Sequence, residues 1–331
     1  IAKTITSENI NEVYPTYYPP RKTPKECYEQ IIADLTDAEQ YAPDNDNSDR
    51  TKMTKTVAQA MLAKVYAEKE VQDYDKVIAY ADKVMNTTGV ELEDSYETLW
   101  GYDETAKDCM KRNTKEGILE VHWTTGSGNW ETWMYGRQLD NWDYNFTWAK
   151  WITPSRDIIN DFDKEGDEVR KNQAIVYYAC TWSNYYPASN YPFMYKLRSS
   201  YNNIYWVRLA DIILMKAEAE AYKGNLAESA KLVNQIRKRA KLKELTSDKT
   251  GSKESMIEAV LHERRLELAF EGERWFDLCR NNKVEQYLNG IDNRDSGRIR
   301  QVRQFDGNSY LLPIPQTALD QNTNLEQNPG Y

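Results

Sequence analysis

The sequence predicts a mainly α-helical protein, with helical hairpins at either end and a long aromatic-rich excursion of loop and short strands between them. Two observations predict it. Apolar residues recur at three- and four-residue spacing in both flanks, which gives each segment one buried helical face. That period fails from about Gly89 to Tyr205, and eight of the ten tryptophans, from Trp100 to Trp182, fall where it fails. The chain divides accordingly into a helical region 20–88, an aromatic-rich region 89–205, and a second helical region with a closing tail, 206–331. A chain of 331 residues can bury a substantial core.

The first flank opens on "TPKE". Thr23 reads as N-cap, Pro24 as the first helical residue and Glu26 as the third, a capping box. Tyr28, Ile31, Ile32 and Leu35 give that helix one apolar stripe, and Pro43 ends it. The polar loop "DNDNSDR" leads to "TVAQAMLAKVYAEKE", striped by Val57, Met61, Leu62, Val65 and Tyr66. A third helix, "YDKVIAYADKVMN", stops between Asn86 and Gly89. In the second flank "WVRLADIILMKAEAEAY" runs to Gly224, a ready left-handed C-cap, and "LAESAKLVNQIRKRA" follows as its antiparallel partner. Ala63/Tyr66 and Ala219/Tyr222 repeat one small-then-aromatic spacing at the end of a helix. A small residue lets two helices approach, and the ring fills the gap, as in degenerate tetratricopeptide hairpins. Generic helix pairs would share much of this pattern.

Between the flanks, "GILEVHW" (Gly117–Trp123) and "AIVYYACTW" (Ala174–Trp182) read as short strands, and "PSRDIINDF" as a short helix from near Pro154. The rest is long loop whose aromatic content argues against disorder.

Composition excludes several functions. The formal net charge is −9, against the basic face that nucleic acid requires. The densest basic run, "IRKRAKLK", reads as the end of an amphipathic helix. Cys27, Cys109, Cys180 and Cys279 are widely spaced and only His122 and His262 could join them, so no metal site or cofactor is expected. Whether cysteines pair is open. "DNDNSD" starts like a calcium loop at Asp44, Asp46 and Ser48, yet it lacks the required glycine and the distal glutamate, and reads as a helix-capping loop. No apolar run reaches membrane-spanning length.

"MIEAVLHERRLELAFEGERWFDLCRN" (Met256–Asn281) mixes charge into an apolar helical period. Arg264 and Glu271 lie on or beside the apolar face. Glu267 stands three residues from Arg264, and Arg274 three from Glu271, within ion-pair reach. Gly272 permits a break before a short helix expected to bury Trp275, Phe276 and Leu278. Buried ions must be paired, and Arg208, Asp211, Glu218 and Glu220 supply partners. Arginines beside carboxylates lower their pKa and unfit them as general acids, so this stretch reads as structural.

A sugar ring needs a flat aromatic platform and polar groups that reach its hydroxyls. "GSGNWETWMYGRQLDNWDYN" (Gly126–Asn145) supplies both. The candidate ligand-binding residues are Trp130, Trp133, Tyr135, Arg137, Asn141 and Trp142, with one or two tryptophans stacking and Arg137 and Asn141 on hydroxyls. The bland alternative is that the rings pack the loop onto the helices. "WSNYYPASNYPF" (Trp182–Phe193) is a weaker second candidate. Trp148, Trp151, Trp206 and Trp275 adjoin regular segments and read as core.

"VRLADIILMKAEAEAYKGN", "VNQIRKRA", "HERRLELAFEGERWFDLCRNNK" and "YLLPIPQTALDQNTNLEQNPGY" together resemble the SusD/RagB family, in order and at the end of the chain. "SDRTKMTKTVAQAMLAKVYAE" and "PSRDIINDFDKEGDEVR", with Asp167 and Arg170, extend the likeness over most of the chain; it is weakest from Trp123 to Lys150. The resemblance implies a single helical, tetratricopeptide-containing domain. It implies an outer-membrane, cell-surface lipoprotein that binds oligosaccharide, or peptide in some branches. Its partner would be a SusC-like TonB-dependent transporter, covered as by a lid. It implies no enzyme activity. The family's signal peptide, lipidated cysteine and first helices are not in this sequence, which opens on Ile1, so the anchor and part of the site are expected upstream. Two rival readings stand beside it, a tetratricopeptide interaction scaffold and an all-α glycosidase, though no segment nominates a cleft carboxylate pair for the latter.

Overall fold

The structure, a computed structural model, describes residues 17–103, 105–106, 108–123, 153–181, 186–198, 202–295 and 303–331. Helix α1 (Pro24–Tyr41) begins with the expected capping box: the Thr23 hydroxyl accepts from the Glu26 N–H, and the Glu26 carboxylate accepts from Thr23 N–H. Its Ile32 and Leu35 reach the core while none of its residues is fully buried, so it is an outer layer. Helix α2 (Lys55–Ala67) is capped by Thr54, not by the "DNDNSD" loop before it. That loop is held by Arg50, whose guanidinium donates to Asn45 Oδ1, Asn47 Oδ1 and Gly89 O. Helix α3 (Tyr74–Met85), capped by Asp73, folds back on α2.

The aromatic-rich region is built of short pieces: α4 (Tyr96–Trp100), β1 (Tyr102–Asp103), β2 (Asp108–Cys109) and β3 (Gly117–Val121). Then come α5 (Arg156–Glu165), α6 (Glu168–Ala174), β4 (Ile175–Tyr178), β5 (Tyr191–Met194) and β6 (Ile204–Arg208). The pairs are β1–β2, β3–β6 and β4–β5, all antiparallel. The strand β6 corrects the expectation of one helix from Trp206. Ile204, Tyr205, Trp206 and Val207 are β-branched or aromatic and hydrogen-bond to β3, and the helix starts only at Leu209.

The second flank is α7 (Leu209–Lys223), α8 (Leu226–Arg239), α9 (Ser247–Thr250), α10 (Lys253–Glu267), α11 (Arg274–Arg280), α12 (Val284–Leu288), α13 (Ile291–Arg294) and α14 (Gln316–Gln321). Gly224 ends α7 in the left-handed region (φ +84°), as its place in the sequence predicts. Helix α7 is buried nearly all round, because α3, α8 and α10 all pack on it. The hairpins α2–α3 and α7–α8, far apart in sequence, are therefore neighbours in space. Tyr222 stacks on Tyr74 of the other hairpin (4.7 Å between ring centroids, planes 10° apart), and Tyr66 stacks on Tyr80. One apolar cluster joins Val57, Val84, Ile118, Val207, Ile213, Leu232 and Val260, so both flanks share a core.

Helix α11 buries Leu278 fully, whereas Trp275 is half-buried and Phe276 is 58% exposed. A seven-residue helix at the edge of the array has only one face to bury. The four cysteines are free.

Candidate functional site

The charged stretch forms two buried networks that link elements, and Arg264 and Asp277 of the second also border a cavity. Arg208, at the end of β6, is 1% exposed. Its guanidinium donates to Glu116 Oε1 (2.8 Å), Glu267 Oε1 (2.7 Å) and both oxygens of Glu271 (2.6 and 2.8 Å). Glu267 also accepts from Arg239 (2.6 Å), Arg170 (3.2 Å) and the Tyr96 hydroxyl (2.6 Å). Lys196 adds a bond to Glu271 (2.6 Å). Burial alone would raise the Glu267 carboxyl, yet the guanidiniums of Arg239, Arg208 and Arg170 hold it well below the usual carboxylate range. Glu271 is lowered likewise: burial opposes, and Arg208 and Lys196 win.

In the second network Arg264, fully buried, pairs with Asp211 (2.7 Å) and Asp277 (2.9 Å), and Arg280 pairs with Glu218 (2.6 Å) and Asp277 (2.7 Å). The Arg264–Glu267 and Glu271–Arg274 pairs expected from helical spacing do not form. Arg264 is instead taken by Asp211 and Asp277, Glu271 by Arg208 and Lys196, and Arg274 donates to Leu261 O. The cross-element partners Arg208, Asp211 and Glu218 are used as expected; Glu220 instead holds Asn225 (2.7 Å).

A general acid at neutral pH needs a raised carboxyl in an open cleft. The trough of about 940 Å³ between α5, α8 and α10 contains Asp161, Glu165, Asp248 and Glu258. Glu165 is pulled down to about 2, first by its bond from His262 and, against burial, by Arg237. In Glu258, burial opposes, and Lys283 and Tyr287 prevail to lower it. Neither is fitted to donate a proton.

One exposed indole, that of Trp206, lies on the β3–β6 pair. Leu119 faces Val207 and Glu120 faces Tyr205, so Trp206 is the extra residue of a β-bulge. Tyr205 and Val207 both point into the core, and strand alternation turns Trp206, between them, out, 61% exposed. This corrects the reading of Trp206 as core. Strand β3 ends two residues before Trp123, which leads into the tryptophan-rich segment. The Trp123 indole N–H is buried and has no hydrogen-bond partner among the described residues. Trp130, Trp133, Tyr135, Arg137, Asn141 and Trp142 lie outside the described residues, as do Trp148 and Trp151. In the weaker candidate stretch, Trp182 to Tyr185 also lie outside them. Its Tyr191 and Phe193 are fully buried against Cys180, hence core, not platform. Trp206 was missed because a helical reading of "WVRLAD" faces it inward; the strand signal was the run "IYWV" ahead of an arginine.

The fold and this surface define a class: a scaffold of helical hairpins, welded by buried ion pairs, that shows aromatic rings at its strand-built edge. The family model of the SusD family matches residues 29–331, and the chain belongs to that family. SusD-like protein P2 of Formosa agariphila is 28% identical over 94% of this chain and 66% of its own length, so the chain spans just under two thirds of that relative. Among solved structures, a SusD homolog from Bacteroides thetaiotaomicron superposes with a TM-score of 0.75 at 21% identity, over 98% of this chain and 74% of that one. A laminarin binding SusD-like protein superposes with a TM-score of 0.68 at 24% identity, over 94% and 70%. These structural likenesses establish the mainly helical fold.

Proposed function

We propose that this protein is a cell-surface glycan-binding protein that captures oligosaccharide and passes it, unhydrolysed, to a SusC-like TonB-dependent outer-membrane transporter. The observation that carries the reading is membership of the SusD family across residues 29–331. A structural neighbour binds laminarin, a glucan, which favours carbohydrate over peptide as the ligand here. The exposed indole of Trp206 supplies a ring face beside the chain's entry into the tryptophan-rich segment. Its natural extension is a platform with Trp130, Trp133, Tyr135 and Trp142, and with Arg137 and Asn141 for hydroxyls. Among the described residues no helix is long and apolar enough to cross a membrane.

Isothermal titration against a panel of oligosaccharides that includes laminarin oligomers tests the proposal. Binding in the micromolar to millimolar range without release of new reducing ends is expected. Silence on every glycan from a folded protein, or accumulation of reducing ends, would count against it.

A further inference from the structure

A cavity of about 410 Å³ opens between the start of α5, the end of α10 and α11. Its size suits one small ligand. Ile158, Leu268, Phe270 and Trp275 form apolar wall, and Arg265 and Arg274 bring charge to it. Phe270 holds a left-handed backbone (φ +67°), a strained state for an aromatic residue, and such strain concentrates at ligand sites.

The carboxylates around this cavity are shared unevenly among its three arginines, Arg264, Arg265 and Arg274. Arg264 is answered by Asp211 and Asp277, and Arg265 by Asp157 and Asp161. Arg274 pairs with no carboxylate among the described residues. Its Nη1 donates to Leu261 O (3.0 Å), and the guanidinium lies 4.7 Å from the centre of the Tyr287 ring. Arg274 is thus the guanidinium at this cavity that no carboxylate engages among the described residues, and it suits an anionic group on the ligand. Trp275 gives the ligand a ring face; its neighbour Phe305 props the indole at 6.0 Å. Polar donors are also left over. The Ser155 hydroxyl accepts from Ile158 N–H (3.2 Å), which leaves its own proton to give. An aryl carboxylate would leave that donor dry, whereas a sugar hydroxyl satisfies it.

We infer that this cavity binds a single uronic acid residue, with its carboxylate on Arg274, its ring face on Trp275 and a hydroxyl on Ser155. The choice of a sugar acid rests on the glycan reading above and narrows it to acidic glycans at this position.

The test is titration of the whole chain with galacturonate and glucuronate, followed by tryptophan fluorescence and calorimetry. Methyl glucoside serves as the neutral control and N-acetylphenylalanine as the aryl carboxylate. Uronates should bind, and methyl glucoside should not at the same concentrations. Arg274→Gln should weaken uronate binding roughly ten- to hundredfold, as loss of a charge-assisted bond does, with part restored by Arg274→Lys. Trp275→Leu, at a half-buried position, is the second variant and should weaken it about tenfold. Unchanged uronate affinity in a normally melting Arg274→Gln or Trp275→Leu protein would overturn the inference. So would N-acetylphenylalanine binding as tightly as a uronate, which would mark a site for peptide ends. If neutral oligosaccharides bind but uronates do not, this inference falls and the glycan reading stands. If nothing binds, both fall.

Discussion

Arg208 and Trp206 lie two residues apart on β6 and face opposite demands. Arg208 is 1% exposed and holds three carboxylates from three segments; Trp206 is 61% exposed and touches solvent. The usual rule would put the indole inside and the guanidinium outside. The inversion has a physical cause at each end. Glu116, Glu267 and Glu271 make the inner end acidic and draw the Arg208 guanidinium in, while the alternation that buries Tyr205 and Val207 faces Trp206 outward. The buried charge of Arg208 serves the scaffold, while the exposed indole of Trp206 does not.

The comparison breaks hardest at Arg208. Arg208→Met leaves buried carboxylates with fewer partners and should cost about 3–5 kcal/mol in urea unfolding. A cost near zero would mean that the network is not holding β6 to α10. Acid should attack the same end. The Glu267 and Glu271 carboxyls are depressed in the fold, so the stability they contribute is fully present above the unfolded carboxylate value of about 4 and is lost as pH falls toward their folded values. Urea midpoints taken at descending pH should therefore drop steeply below about 4, and Glu267→Gln should flatten that slope.

Tyr222→Ala sharpens the comparison within the scaffold. It removes the stack on Tyr74 and the hydroxyl bond to Asn281 (2.6 Å), and should cost about 2 kcal/mol in the same assay, half of it retained by Tyr222→Phe. Trp206→Ala should barely move stability, by under about 0.5 kcal/mol, while it weakens glycan binding about tenfold in calorimetry.

The helical hairpins were legible because the stripe of Val57, Leu62 and Tyr66 and the caps at Thr23 and Gly224 are local signals. The burial and pairing of Arg264 were legible too, since a charge on an apolar face must be neutralised. Its partners were not all legible, because Asp277 reaches it through a turn at Gly272 (φ +88°) that no spacing rule encodes. Nor was the adjacency of Tyr74 and Tyr222, which depends on how two distant hairpins stack. At the candidate site, the ring-rich stretch announced itself by composition, whereas Trp206 was hidden because the helical period of the following segment was read back over a strand that ends at Arg208.

The most direct test pairs affinity with melting temperature in one double variant, Trp130→Ala with Trp133→Ala. Oligosaccharide affinity should fall at least about tenfold, as the loss of two stacking faces implies, and the melting temperature should stay that of the parent protein. Unchanged affinity, or a collapse in melting temperature, would show that those indoles build the scaffold and that the ligand is gripped elsewhere.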